Sequence, residues 1–218
     1  MIVAVNKPMG WTSFDVVGKI RSLTGVKKIG HAGTLDPFAV GVLVIGIGRE
    51  STKQLSNYTN KYKVYEATLR LGLATDTLDV DGKITDNKSI PQINESKVLS
   101  VFSQFMGIIE QVPPMYSAKK VNGKKLYELA RKNITIEREA VIVEIKELVL
   151  LSLFEHFIKF RVNCSKGTYI RQLGADIAEK LDTVGHLTNL TRTTVGEYKL
   201  KDCIEFVQVE EQWMSTVI

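Results

Sequence analysis

Hydrophobic residues follow two periods along the chain, and the change between the periods predicts short strands and helices. Between residues 65 and 71 apolar side chains occupy every second position, which predicts a strand with Tyr65 on its inward face. Residues 42–47 form an apolar run bounded by glycines, as is typical of a buried strand. Residues 141–153 and 157–163 predict two longer strands, and the second alternates cleanly.

Other segments have the spacing of amphipathic helices. Thr12 and Asp15 have the sequence of a capping box, and the apolar series after them ends at Gly25. Asn94 is typical of a helix N-cap, and Gly107 is the first strong stop signal after it. We therefore expect one helix between each cap and the glycine that follows it.

Two more helices are predicted in the second half of the chain. Asn122 and Gly123 form a strong hairpin turn, and residues 124–132 after it have helical spacing. Residues 170–181 carry apolar side chains at the same spacing. Strands and helices mixed without regular βαβ repetition predict an α+β fold, and no internal repeat or linker interrupts residues 1–200.

The composition indicates a folded, basic protein of the cell interior. The chain has 218 residues, of which 44% are hydrophobic, a net charge of +5 and a pI near 9.1. This charge favours a polyanionic partner such as RNA, although many enzymes are equally basic. Cys164 and Cys203 lack CxxC spacing, which fits a reducing cytoplasm, and no apolar run approaches the ~18 residues of a membrane span. His31, His156 and His186 lack the spacing of a zinc site.

Residues 30–41 are the densest turn segment and place a carboxylate near an imidazole. Pro37 prevents a helix from running through Asp36. An aspartate held close to an electrophilic carbon can act as a nucleophile. Two other interpretations stay open from the residues alone: Asp36 can cap a turn before the proline, or form an acid and base pair with His31 in a hydrolase or transferase.

The same loop resembles the catalytic signature of TruB-type tRNA pseudouridine synthases, which reads Gly-His-x-Gly-x-Leu-Asp-Pro. Further segments are similar to other motifs of that family and occur in the same order. They are residues 6–13, 62–72, 75–79, 113–119, 164–171 and 190–192. An ordered series of motifs is much more specific than a single match, and this one extends over residues 1–200.

This resemblance implies the pseudouridine synthase fold, a mixed and mostly antiparallel central sheet flanked by helices, with a catalytic cleft. It implies one catalytic domain over residues 1–200, which includes a basic thumb-like insertion at about residues 117–133. Residues 201–218 would be a short tail, too short for the RNA-binding PUA domain that members commonly carry.

The implied activity is a cytoplasmic isomerase, a tRNA pseudouridine synthase that converts uridine 55 in the T loop to pseudouridine. The reaction has no net redox change and needs no cofactor or metal, but the target base must be flipped out of the RNA. We expect a monomer that binds the T arm of tRNA, with no obligatory protein partner and no membrane contact. The main alternative is a tRNA-binding or tRNA-folding chaperone of the same fold without turnover.

The resemblance assigns catalytic roles to Asp36, Tyr65 and Arg171. Asp36 would be the nucleophile, and the guanidinium of Arg171 would keep it ionised. Whether such a carboxylate attacks C1′ or promotes elimination to a glycal stays open. Tyr65 would stack on the target base and accept or relay the C5 proton. A solvated arginine and a packed core tyrosine are the simpler alternatives.

Further residues are assigned to RNA binding by the same resemblance. His31 would fill the space of the flipped base, Asp79 would lie near the flipped nucleotides, and Tyr169 would form a wall of the pocket. Solvated, turn and packing roles are the alternatives for these three. The cationic candidates are Arg192, Lys119, Lys120, Lys124 and Lys125. For the lysines, a solvated basic face is the alternative.

Overall fold

The computed structural model describes the backbone of residues 1–121 and 123–217, and the side chains of residues 1–121 and 123–215. The helices are α1 (Ser13–Thr24), α2 (Arg49–Thr59), α3 (Glu95–Ser103), α4 (Leu126–Ala130), α5 (Ile170–Lys180) and α6 (Phe206–Val217), with a 3₁₀ turn at Leu200–Asp202. The strands are β1 (Ile2–Lys7), β2 (Ile29–Ala32), β3 (Val40–Ile47), β4 (Lys63–Leu71), β5 (Leu73–Thr75), β6 (Ile84–Asn87), β7 (Gly107–Gln111), β8 (Lys120–Val121), β9 (Lys124–Lys125), β10 (Val141–Phe154), β11 (Phe157–Cys164), β12 (Gly185–Val195) and β13 (Tyr198–Lys199).

The chain forms two compact units. The first unit contains residues 1–66 and the residues from 190 onward, and the second contains residues 67–189. Strands β4 and β12 each contribute residues to both units. The α+β class predicted from the sequence is confirmed by this mixture of strands and helices.

Strand β3 is the centre of the sheet in the first unit. It pairs antiparallel with β1 along one edge, with Lys7 opposite Gly41. On its other edge β3 pairs antiparallel with β2 and, further along, parallel with β12, where Thr191 lies opposite Val40. The result is a mixed arrangement in which the loop between β2 and β3 lies beside the start of β3.

Helices α1 and α6 cover the apolar side of this sheet. The capping box predicted at Thr12 and Asp15 is present, and α1 ends at Gly25 in the left-handed conformation, as predicted. Val209 of α6 is completely buried among the valines, isoleucines and leucines of β1, β3 and α1. The ring of Phe206 stacks on Trp11 with 5.7 Å between centroids. The segment that the sequence suggests to be a tail therefore contains a helix of the core.

In the second unit the strands lie side by side in the order β4, β11, β10, β7. Both β10 pairs are antiparallel. The alternation predicted for residues 65–71 and 157–163 is confirmed, since every second side chain of β4 and β11 is buried. Helix α3 packs on the sheet through Phe102, whose ring meets Phe160 edge to face at 6.0 Å.

Two predicted helices are shorter than their patterns suggest. Asn94 caps α3 as predicted, but the helix ends at Ser103, before Gly107, and Leu99 is 51% exposed. The helix predicted over residues 124–132 is reduced to α4, because residues 124–125 pair with residues 120–121 as a hairpin. Asn122 of the predicted turn lies outside the described residues.

Among the described residues, none of the helices has both the length and the apolar character that crossing a membrane requires.

Substitution of Val209 by alanine tests whether α6 belongs to the core. We expect Val209→Ala to lower the free energy of unfolding by about 1.5–3 kcal/mol, because two buried methyl groups are lost and a cavity remains. Val207 on the same helix is 58% exposed, so Val207→Ala should change it by less than about 0.5 kcal/mol. Urea denaturation measures both. Equal effects of the two substitutions would contradict this packing.

Candidate active site

Asp36 lies in the loop between β2 and β3, and hydrogen bonds hold the residue before it. The Ser13 hydroxyl accepts a hydrogen bond from the Leu35 N–H at 2.9 Å and donates to the Leu35 carbonyl at 3.2 Å. Ser13 and Leu35 are both buried. One side chain at the start of α1 thus satisfies both backbone groups of the residue that precedes Asp36.

The residue after Asp36 is held in the same way. The Pro37 carbonyl accepts hydrogen bonds from the Gly10 N–H at 2.9 Å and from the Lys7 ammonium at 3.2 Å. Because the backbone is fixed on both sides, the Asp36 carboxylate starts from a defined position. A reacting group needs this property, since a small misplacement costs a large factor in rate.

Lys7 is a supporting residue that the sequence analysis did not select. Its side chain is 0% exposed, and its ammonium also donates to the carbonyls of Pro8 at 2.9 Å and Trp11 at 2.6 Å. Burial lowers the pKa of Lys7 from 10.5 to about 8, and the nearby charge of Asp36 opposes this decrease. A signal was available: Lys7 continues the period-2 alternation of Val3 and Val5 in β1, which directs it inward.

Arg192 holds the same loop from β12. Its guanidinium donates from Nε to the Val42 carbonyl at 2.7 Å and from Nη2 to the Gly33 carbonyl at 2.8 Å. A Cβ at Gly41 would collide with the Arg192 carbonyl oxygen, so only glycine permits this approach of β3 to β12. Arg192 is 1% exposed, and it therefore has almost no surface to offer an RNA ligand.

His31 lies at the end of β2, half-buried. Burial lowers its pKa, and the positive charge of Arg192 lowers it further. The imidazole is therefore neutral near pH 7. Its Nδ1 is buried and has no hydrogen-bond partner among the residues that the structure describes. A neutral ring is suited to contacts with bases, and the assigned role of His31 in RNA binding stays a prediction.

Tyr65 is buried on the inward face of β4, as the alternation predicted. It belongs to the first unit together with Asp36, His31 and Arg192. This placement agrees equally with core packing and with a role in stacking on a base, so the catalytic role of Tyr65 stays a prediction.

Arg171 is the main buried cation of the second unit. It is 4% exposed, and its guanidinium donates to the carbonyls of Thr77 at 2.6 Å and Tyr116 at 2.8 Å. Its Nη1 lies 3.6 Å from a carboxylate oxygen of Asp79. The arginine is thus not a solvated residue at the start of α5 but a fixed, paired one. Asp36 belongs to the other unit, and its predicted ion pair with Arg171 stays a prediction.

Asp79 is buried in a tight turn between β5 and β6. Its carboxylate accepts hydrogen bonds from the Thr77 hydroxyl at 2.5 Å and from the Asp81 N–H at 3.1 Å. Leu78, between Thr77 and Asp79, has a φ of 63°. This left-handed backbone conformation costs a bulky residue about 1–3 kcal/mol. The turn role that the sequence offered as an alternative for Asp79 is therefore present, and contact with RNA stays a prediction.

Tyr169 directly precedes α5, and Gln111 fixes its backbone. The Gln111 side-chain oxygen accepts a hydrogen bond from the Tyr169 N–H at 2.8 Å, and its amide nitrogen donates to the Tyr169 carbonyl at 3.1 Å. Gln111 is buried at the end of β7 and was not selected from the sequence. It sets the start of the helix whose second residue is Arg171.

The predicted basic insertion forms the hairpin β8–β9 followed by α4. Lys120 and Lys124 are exposed, whereas Lys119 and Lys125 are half-buried. The Lys125 ammonium donates to the Tyr127 hydroxyl at 3.1 Å. Lys120 and Lys124 are thus the better placed of the four to meet a phosphate, although RNA contact stays a prediction.

Comparison with known proteins places the chain in a family. Residues 21–170 match the model of the N-terminal domain of TruB family pseudouridylate synthases. The tRNA pseudouridine synthase B of Protochlamydia amoebophila is 47% identical, over 95% of this chain and 79% of its own. The enzyme of Geobacillus kaustophilus is 46% identical, over 97% of this chain and 76% of its own. That of Bacillus cytotoxicus is 42% identical, over 100% of this chain and 73% of its own. The protein belongs to the TruB family of pseudouridylate synthases.

Solved structures agree on the fold. A chain in the crystal structure of a Cbf5-Nop10-Gar1 complex superimposes with a TM-score of 0.75 at 25% identity. A chain in the structure of an H/ACA RNP bound to a substrate RNA containing 2′-deoxyuridine gives a TM-score of 0.70 at 24% identity. All of this chain is covered, but only 56% and 55% of those chains. The pseudouridine synthase fold implied by the sequence is confirmed.

Titration of Lys7 gives a test of its burial. The unfolded chain binds a proton at Lys7 up to about pH 10.5, whereas the folded protein releases it at about pH 8. Between these values the unfolded state holds more protons, so stability rises with pH. We expect the free energy of unfolding of the wild type to rise relative to Lys7→Met across this window. Urea denaturation at several pH values measures the difference. A difference that does not change with pH would contradict the assigned shift.

Proposed function

We propose that the protein is a tRNA pseudouridine synthase that isomerises uridine 55 of the T loop, with Asp36 as the nucleophile. The observation that carries this proposal is the similarity of nearly the whole chain to tRNA pseudouridine synthases B at 42–47% identity. The rigid mounting of Asp36 gives independent support, because Ser13 and Lys7 fix the two residues that flank it.

The reaction requires one bond to break and another to form at the same sugar carbon. The N1–C1′ bond is cleaved, the uracil turns, and C5 bonds to C1′. C5 then loses its proton and N1 gains one, so atoms and charge balance without a redox partner. The Asp36 carboxylate forms a bond to C1′ as the N1–C1′ bond breaks, and this bond breaks again when C5 bonds to C1′, so the carboxylate is regenerated. The fixed backbone around Asp36 reduces the cost of reaching the reactive geometry.

Arg171 and Tyr65 complete the proposed chemistry. Arg171 pairs with Asp36 and keeps it ionised; the carbonyls of Thr77 and Tyr116 support this role because they hold the guanidinium in one orientation. Tyr65 stacks on the uracil and accepts or relays the C5 proton. Its inward position on β4 is compatible with this role.

Binding of the T arm begins with phosphate contacts and ends with extrusion of the target base. Exposed cations such as Lys120 and Lys124 meet the phosphates of the RNA. Flipping costs a few kcal/mol of stacking and pairing. His31 offsets part of this cost by occupying the vacated space, and its lowered pKa supports a neutral ring there. The enzyme acts as a monomer in the cytoplasm.

Replacement of Asp36 separates the enzyme from a chaperone of the same fold. We expect Asp36→Asn to lower turnover by more than about 10³-fold while tRNA affinity is kept, because only the nucleophile is lost. Release of tritium from RNA labelled at C5 of uridine measures turnover, and filter binding measures affinity. Asp202→Asn is the control, since this carboxylate is exposed. Equal turnover of Asp36→Asn and wild type would remove Asp36 from the mechanism. Binding without turnover by the wild type would favour the chaperone.

A single lysine substitution tests the basic insertion. Lys124→Ala should weaken tRNA binding and reduce the slope of log affinity against log salt by about one, because one phosphate contact is lost. Lys53→Ala removes the same charge from α2, where Lys53 pairs with Glu50 at 2.8 Å, and should leave the slope unchanged. Titrations over a range of salt concentrations measure both. An unchanged slope for Lys124→Ala would contradict an RNA contact at this position.

A further inference from the structure

The second unit contains a cavity of about 420 Å³ that the proposed reaction does not use. Five polar residues line it: Arg70, Asn87, Lys88, Ser89 and His156. Arg70 lies at the end of β4, the next three at the end of β6 and directly after it, and His156 in the turn between β10 and β11. None of these residues was assigned to catalysis or to RNA binding. The volume lies within the range of about 300–1,000 Å³ that is usual for small-ligand sites.

Arg70 is the most informative residue of this cavity. It is half-buried on the outward face of β4, and its Nε is buried without a hydrogen-bond partner. Among the described residues, no hydrogen bond or ion pair involves its guanidinium. A buried donor without an acceptor is costly, and a charged one more so. Arg70 therefore brings to the lining of the cavity a planar group with several donors that no described residue pairs.

The neighbouring side chains add donors and no acid. Lys88 and Ser89 are exposed at the rim, and the Lys88 ammonium has no ion pair within the described part of the chain. Among the described residues, no carboxylate lines the cavity. Two lie one residue away in sequence: Asp86, whose carboxylate accepts a hydrogen bond from the Asn87 N–H at 2.8 Å, and Glu155, whose carboxylate lies 3.9 Å from Nδ1 of His156. The lining is thus electropositive and rich in hydrogen-bond donors, a combination that suits an oxyanion.

Hydrogen bonds hold the backbone of this lining in place. The Thr183 hydroxyl donates to the Ser89 carbonyl at 3.0 Å, and the Leu71 N–H donates to the His156 carbonyl at 2.8 Å. A Cβ at Gly72 would lie 3.1 Å from the side chain of Ile90, so the chain passes closely here. The donors are therefore mounted on a fixed frame, which reduces the cost of ordering them around a ligand.

We propose that this cavity binds the phosphate of a nucleotide, with Arg70 and Lys88 contacting the phosphate oxygens. Leu73 and Ile90 provide apolar surface for the attached sugar or base. The phosphate can belong to a strand of bound RNA or to a free nucleotide, and both offer the same group to the arginine. The proposal does not depend on uridine 55 or on Asp36, so it can fail while the proposed function holds.

Binding of small phosphates to the full chain is the first test. The probes are inorganic phosphate and uridine 5′-monophosphate, followed by thermal denaturation and by calorimetric titration. If a free nucleotide occupies the cavity, the melting temperature of the wild type rises with the nucleotide, and Arg70→Gln and Lys88→Gln abolish the rise. Lys83→Gln is the matched control, because Lys83 is an exposed lysine next to β6 that does not line the cavity.

Binding of an unmodified tRNA transcript is the second test. If RNA occupies the cavity, Arg70→Gln and Lys88→Gln each weaken tRNA binding by about 3- to 30-fold and lower the salt slope by about one, whereas Lys83→Gln does not. Lys88 is exposed, so Lys88→Gln keeps the test valid should Arg70→Gln fail to fold. An effect in either test, specific to the two lining residues, supports the proposal and identifies the source of the phosphate. Equal effects of Lys83→Gln, or no effect in both tests, overturn it.

Discussion

Buried polar contacts in the first unit converge on the loop that carries the Asp36 carboxylate and fix its position. Asp36 occupies a loop, where backbone is ordinarily mobile, yet its neighbours are bonded to buried donors from elements distant in sequence. Ser13 comes from α1, Lys7 from β1 and Arg192 from β12. Each of these polar side chains is costly to bury, and each offsets that cost by satisfying carbonyls that would otherwise be unpaired. The core accepts polar residues where they fix the backbone of the loop that carries Asp36.

The second unit uses the same device around α5. The Arg171 side chain contacts the backbone carbonyls of residues 77 and 116. The Gln111 side chain contacts the backbone of residue 169. Contacts of this kind are set by the path of the chain and depend little on the side chains of the partners. Lysine could not replace Arg171, because Nη1 and Nη2 reach the Thr77 and Tyr116 carbonyls from separate arms of a planar fork, whereas an ammonium is a single point charge.

The sequence predicted the strands with strict alternation and the helix with a complete capping box, because burial on one face and cap geometry are local properties. It missed α2 and α6 for a physical reason: α2 is almost entirely polar with only Ser51 and Leu55 buried, and α6 is recognised as core only once Val209 meets the valines of other elements. Among the candidate site residues, the ordered motifs selected Asp36 and Arg171, whose catalytic roles stay predictions. Ser13, Lys7 and Gln111 act through contacts with backbone groups distant in sequence. No local pattern reveals these contacts, although the alternation of β1 does direct Lys7 inward.

Gly41 illustrates how geometric and chemical constraints differ. The residue has no side chain that could take part in chemistry, yet even a methyl group there would collide with the Arg192 carbonyl oxygen. In a saturation mutagenesis library, position 41 would be depleted of every variant, as a nucleophile would be. Such depletion would reflect the close approach of β3 to β12 and the position of Arg192 beside the loop. Sensitivity to mutation near a reactive centre is thus no guide to reactivity unless the space around each residue is considered.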